Sequence, residues 1–337
     1  MKRIVEERVF IVAAIISMIC SLLVSFTAIC FPSMRKRFFM KIILMISIAD
    51  IFASIGSSLG LPPDRSYLCP LQAFLVVVFY KASWCWCSIL TYQLYSIIET
   101  TKVKLSWPVM HLIGWMIPLF TTLLPLITNK FGRDDIADEE IMGWCYYKGN
   151  AEYWDLFTFD LLLLSSLISM AYFTFKIYTK INDFSDTVSG LISALAYYPL
   201  TIAIAWTPTL LLAFLINSGM IDINETVKLI YFGCTLLSTQ NGTLLAIIFF
   251  VKSPEARNKW KGLLRREDDL KTQFLKFGNI NDQLDDIDYI DYQESDSSRN
   301  SSVLDDDSVL YRYSYVGSNF NSMLVPFNEQ DRDNNIE

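Results

Sequence analysis

Seven apolar runs divide the first 250 residues of this chain, at about 9–31, 38–61, 71–98, 107–128, 154–178, 191–217 and 227–250. Each has the roughly 20 residues that a helix needs to cross a hydrocarbon core about 30 Å thick. Short polar connectors separate them. A backbone inside lipid must satisfy its own N–H and C=O groups, so only helices and closed barrels span. Barrels need alternating segments of about ten residues, and none is present. The expected fold is an all-α membrane protein, a seven-transmembrane helix bundle.

The net charge of −7 hides two regions of opposite sign. Residues 267–337 carry 17 Asp/Glu against 5 Lys/Arg, a net of −12, so the first 266 residues carry +5. The acidic stretch, with DDIDYIDYQESDSSRNSSVLDDDS at its centre, has too little apolar surface to fold. The chain is therefore expected to divide into a membrane domain, 1–266, and a disordered acidic tail, 267–337. At the junction, Trp260, Leu263 and Leu264 oppose Arg257, Lys259, Lys261, Arg265 and Arg266. That pattern predicts a short amphipathic eighth helix on the inner leaflet, the alternative being a solvated basic linker. With the N-terminus placed outside, Lys and Arg number 13 inside against 8 outside. The positive-inside rule then predicts a multi-pass plasma-membrane protein with an extracellular N-terminus and a cytoplasmic C-terminus. Val9–Phe31 is too long for a signal-peptide core and lacks a small-residue cleavage site, so it reads as a span.

His111 is the only histidine, so a His-based metal site or a Ser–His–Asp relay would have to use that one residue. No cofactor and no nucleic-acid partner is expected. Of seven cysteines, Cys69 opens the third run and Cys145 lies in the long connector 129–153 on the same membrane face. Cell-surface loops are oxidising, which makes these two the natural disulfide pair. The other five fall inside spans, where cysteine behaves as a small apolar residue. Asn224-Glu225-Thr226 is a glycosylation sequon in an outer loop, while a second match at Asn241 sits mid-span. Ser295, Ser297, Ser298, Ser301 and Ser302 cluster among tail carboxylates. Their phosphorylation would build a docking site for a basic partner, and the plain alternative is an inert solubilising tail.

Ionisable and polar residues inside the apolar runs are expensive and mark function. Asp50 sits mid-depth in the second run and needs a partner, for which Gln240 and Asn241 of the seventh are at similar depth. It reads as a hydrated switch core, or as a neutral carboxyl that only ties helices together. Lys81 lies about three turns inside the third run and has two readings: pairing with Asp160 of the fifth run, or binding an anionic ligand group. Tyr197, Tyr198 and Pro199, then Trp206 before Pro208, make the sixth run a candidate kinked switch. A static bend with ordinary aromatic packing is the alternative. Gly114-Trp115-Met116-Ile117-Pro118 in the fourth run indicates packing and a bend, with no chemistry.

Seven runs, Cys69 at the top of the third, Cys145 in the second outer loop and a helix after the seventh resemble a G-protein-coupled receptor. SIADIFASIG, SWCWCSILTYQLY, GWMIP and YYPLTIAIAWTP further resemble the cyclic-AMP-receptor-like family, over about residues 5–265. The third run lacks an inner Asp-Arg-Tyr and the seventh lacks NPxxY, carrying Gln93-Leu94-Tyr95 and NGTLLAIIFF instead, which fits the rhodopsin-like class poorly. The resemblance implies a receptor, not an enzyme. It implies a small extracellular ligand, cyclic AMP among the candidates, bound within the bundle between spans three, five, six and seven, with Lys81, Asp160 and Trp206 near it. About eight residues precede the first span, which fits a ligand held by the bundle. It also implies a heterotrimeric G protein at the inner face, with Lys102, Lys104, Lys176 and Lys180 as contacts, and an arrestin-like protein and a kinase on the tail. The competing classes are a seven-helix protein signalling without G proteins and a small-solute transporter, although no internal repeat supports the latter. A retinal protein needs a lysine deep in span seven, and Lys228 lies at its outer end.

Overall fold

The computed structural model describes residues 2–62, 66–100, 103–132, 145–148, 152–180, 186–222, 224–263 and 265, with the side chains at 2–4, 152, 186–193 and 217 excepted. Lys102, Leu264, Arg266, the acidic run of the long connector and the whole tail with its five serines lie outside the described residues. Among the described residues, six helices are long and apolar enough to cross a membrane: α1 (Lys2–Cys30), α2 (Phe38–Ser58), α3 (Leu68–Thr100), α4 (Trp107–Ile127), α5 (Tyr153–Lys180) and α6 (Asp186–Asn217). A seventh span is made of two helices, α7 (Glu225–Thr239) and α8 (Asn241–Lys252), which meet at 48°. Residues 254–263 are helical as well and are termed α9.

The bundle is organised on α3. Within its spanning window 78% of residues are buried, against 28% in each of α4, α5 and α6. The outer helices turn apolar side chains outward instead: Phe120, Ile168, Phe175, Ile204 and Leu211 are all exposed on the outside of the bundle. The helix begins at Leu68, three residues before the sequence reading started it, and so includes Cys69. Its sulfur is bonded to that of Cys145, with the two Cα atoms 5.4 Å apart.

Three irregularities in the helices shape the interior. In α4 and α5 a π-turn is inserted, at Leu112–Met116 and Leu156–Asp160, with Ile117 N–H reaching Leu112 O and Leu161 N–H reaching Leu156 O. An inserted residue of this kind shifts everything after it by about 100° around the helix. In α4 the turn carries Gly114, and a methyl group at Gly114 would collide with the indole of Trp86. The GWMIP stretch is thus a seat for a buried α3 tryptophan.

The third irregularity is the bend in the seventh span, which the sequence reading took as one continuous helix. No proline causes it. Ser238 and Thr239 both donate their hydroxyls to the Thr235 carbonyl, at 3.0 and 2.9 Å, competing with the backbone ladder just before the break. Immediately after it, Gly242 lies so close to Ser17 and Ser21 of α1 that no side chain fits there. By contrast, α6 runs through Pro199 and Pro208 as one helix.

The two ends of the bundle differ. At the disulfide end, a hairpin of β1 (Phe131–Gly132) and β2 (Tyr146–Tyr147) lies over α3, pairing Phe131 with Tyr147. Gln72, fully buried one turn below Cys69, anchors it: its Oε1 accepts from Cys145 N–H at 2.9 Å. Its Nε2 donates to the Gly56 and Gly60 carbonyls at the end of α2, at 3.1 and 2.5 Å. At the other, basic end, Lys180 of α5 pairs with Glu99 of α3, and Arg37 pairs with Glu255 of α9. Trp260 of α9 donates to Thr27 of α1 at 2.9 Å, with its ring between Phe26 and Phe31.

Candidate functional site: two buried charges and an aromatic cavity

Two ionisable side chains are buried at the heart of the bundle, and their surroundings differ. Asp50 of α2 accepts a hydrogen bond from Asn241 Nδ2 at 3.0 Å, and the same nitrogen lies 3.4 Å from Ser83 Oγ of α3. Asp50 and Asn241 are 2% and 0% exposed. Three spans are thereby tied at one point. The knot is incomplete: Asp50 Oδ2 and Asn241 Oδ1 have no hydrogen-bond partner. Gln240, expected beside Asp50, is turned away by the bend. Its amide donates to Ala13 O of α1 at 2.7 Å and its oxygen accepts from Thr243 at 2.8 Å.

Lys81 of α3 is fully buried. Its ammonium does not pair with Asp160. It donates to Thr122 Oγ1 at 3.0 Å and, more loosely, to Thr121 Oγ1 at 3.5 Å, both on α4. The carboxylate whose charge acts on it is Asp155, which the sequence reading did not single out. Asp155 also accepts from the Tyr146 hydroxyl at 2.7 Å. Burial, then the neighbouring Asp155, push the Tyr146 phenol well above its ordinary range, so it stays a donor.

Beside this group lies a cavity of about 40 Å³ between α3, α5, α6 and α7, with Tyr146 at its rim. Asp155 and Asp160 both line it. Five positions apart, they would point about 140° from one another on a regular α-helix. The π-turn between them brings them to one side. Asp160 has no hydrogen bond or ion pair among the described residues. The remaining wall mixes aromatic, aliphatic and hydroxyl side chains. Trp206 packs edge-on against Tyr80 and Trp84 at 4.8 and 4.7 Å between ring centroids, and Phe159 lies 6.1 Å away. Trp206 is 4% exposed, and its indole N–H has no partner. Thr209, also on the wall, has an unpartnered hydroxyl.

Comparison with known proteins finds receptors that resemble about half of this chain. The cyclic AMP receptor-like protein A of Dictyostelium discoideum is 25% identical over 179 residues, 52% of this chain and 46% of that protein. G-protein coupled receptor 157 of Mus musculus is 30% identical over 155 residues, 44% of this chain and 46% of that protein. Squid rhodopsin shares the fold at a TM-score of 0.62 and 14% identity, over 76% of this chain and 84% of that one. Over about half its length the chain is similar to a cyclic AMP receptor-like protein and to a G-protein coupled receptor. It spans about half the length of the curated relatives it matches. No protein-family model matches it. Both relatives are named as receptors or receptor-like proteins, and the fold shared with squid rhodopsin is that of a multi-pass helical membrane bundle.

Within the bundle, Asp50, Asn241, Trp206 and Asp160 lie where it is polar or hollow, whereas Lys81 is set behind the cavity wall. Tyr198 and Pro199 are buried near the basic end, where a second cavity of about 210 Å³ is lined by Arg37, Met40, Tyr198, Lys252 and Glu255. Lys252 sits 4.2 Å from the Tyr197 ring centroid. Asn224 of the sequon caps α7, accepting from Val227 N–H at 2.9 Å. Asp155, Ser83, Gln72 and Thr122 were missed. Gln72 alone left a signal, lying three residues after Cys69 and so on its helix face.

Proposed function

We propose that the chain is a cell-surface receptor. The disulfide end faces outside, a small ligand occupies the cavity under Tyr146, and the basic end engages a heterotrimeric G protein. The observation that supports this most strongly is the place of Trp206. It lines the cavity and lies two residues before Pro208, on a helix that continues through Pro199 to Tyr198 at the basic-end cavity. A ligand that holds Trp206 differently in two arrangements of α6 shifts the population between them, and only such differential binding can do so. The Glu99–Lys180 and Arg37–Glu255 pairs hold the ends of α3, α5, α2 and α9 in the present arrangement. Lys104, Lys176 and Lys180, already exposed or half-exposed at the basic end, are the contacts offered to the partner. A kinase and an arrestin-like protein acting on the serine-rich tail, and a glycan on Asn224, belong to the same proposal.

Cyclic AMP is the first compound to try, since a relative bears its name. The lining residues give its phosphate no cation, because Lys81 faces Thr122. The test is heterotrimeric G-protein dissociation in cells expressing the chain, across the Gα subtypes, with surface level measured and cyclic AMP added in one arm. Dissociation above that of untransfected cells, basal or stimulated, supports the receptor reading. Surface-expressed protein that moves no subtype overturns it in favour of signalling without G proteins.

A further inference from the structure

The cavity has a chemical character that the family resemblance does not supply. Its two carboxylates are unequal. Asp155 is provided for by the Tyr146 hydroxyl and by the charge of Lys81. Asp160 faces the same space with neither. Counted as ionised, Asp155, Asp160 and Lys81 sum to one negative charge without a counter-charge, at a half-buried position beside the cavity. An uncompensated charge there costs several kcal/mol unless a cation meets it. Around Asp160 stand Tyr80, Phe159, Trp206 and Tyr231, whose ring faces attract a cation held within about 6 Å. A second observation is independent of the acids. The Trp206 N–H and the Thr209 hydroxyl, on the opposite wall, are buried with no acceptor. Native interiors leave few such groups, and those at a cavity point to something that fills it. At about 40 Å³ the cavity admits a few water-sized groups, enough for the head of a small molecule.

We propose that this cavity binds a small amine: its ammonium sits between Asp160 and the aromatic wall, and a hydrogen-bond acceptor on the same molecule takes the Trp206 N–H. The inference rests on the receptor reading above for its consequence, but not for the binding itself. Charge complementarity runs against phosphates and carboxylates. A neutral molecule of the same shape leaves Asp160 unpaired and binds more weakly. The charged groups facing the ammonium are Asp160 and, beyond it, Asp155 from α5; Lys81 from α3 is turned to α4 and is screened by Asp155.

The experiment uses the full chain purified in detergent and follows thermal unfolding with ethanolamine, propylamine and 1-propanol at millimolar concentration, at matched ionic strength. The three have the same shape; ethanolamine has both the ammonium and the acceptor, and each of the others lacks one. The expected order of stabilisation is ethanolamine, then propylamine, with 1-propanol no better than buffer. Asp160→Asn, which keeps size and hydrogen bonding, is expected to weaken the apparent affinity for ethanolamine by about tenfold or more while the ligand-free Tm holds or rises. Trp206→Phe is expected to bring ethanolamine down to the level of propylamine. Equal shifts from 1-propanol and ethanolamine, an unchanged response in Asp160→Asn, or no shift with either amine would overturn the proposal. G-protein dissociation measured with the same compounds separates the two readings. Coupling without amine binding leaves the receptor reading standing alone, and amine binding without coupling leaves only the site.

Discussion

The Asp50 knot and the Lys81 group place charge at the heart of the same bundle, yet they are built to opposite ends. Around Asp50, three spans converge on one carboxylate and one amide. Around Lys81, two hydroxyls of α4 meet the ammonium, while two carboxylates of α5 line a hollow, and one of these, Asp160, has no partner among the described residues. Removing a charge from the first should loosen the helices. Removing one from the second should alter what enters. The difference comes from backbone irregularities: the bend at Gln240 closes the knot, and the π-turn in α5 opens the acids to the cavity.

The largest effect should come from Asn241→Leu, which strips the only amide donor from a buried carboxylate. We expect a loss of about 3 kcal/mol, seen as a lower Tm in detergent and reduced surface expression. Asp50→Asn in the same background should recover most of it, and additivity of the two changes would break the idea of a single knot. Lys81→Met should come next, at about 1–2 kcal/mol, because Thr122 keeps its bond to Pro118 O and Asp155 keeps Tyr146. A loss larger than that of Asn241→Leu would reverse the ranking of the two charges. Tyr146→Phe should cost about 1 kcal/mol alone and more when combined with Lys81→Met, since both serve Asp155. Lys180→Ala, which breaks a solvent-exposed pair at the basic end, should leave Tm where it is. A clear drop there would show that the ends, not the buried charges, hold the bundle.

The seven spans, the Cys69–Cys145 bond and the meeting of Asp50 with Asn241 could be read from the sequence, because length, charge and depth in a bilayer fix them. The acidic cavity could not. Helical periodicity separates Asp155 from Asp160, and nothing in LFTFD announces the extra residue that reunites them. The same holds at Gln240 and Asn241. They are adjacent in sequence, but the bend sends one to α1 and the other to α2. Lys81 misled for a related reason: an ammonium in a span calls for an anion, and two threonine hydroxyls with a more distant Asp155 met that need instead.

The claim that the closed charge holds the bundle while the open one reads a ligand comes down to one variant, Asp160→Asn. Its basal and ethanolamine-stimulated G-protein dissociation should be compared with wild type at matched surface level, alongside Tm. The account predicts an unchanged or higher Tm with the stimulated response lost. A lowered Tm with the response intact would contradict it, making Asp160 a structural group and the cavity a packing defect.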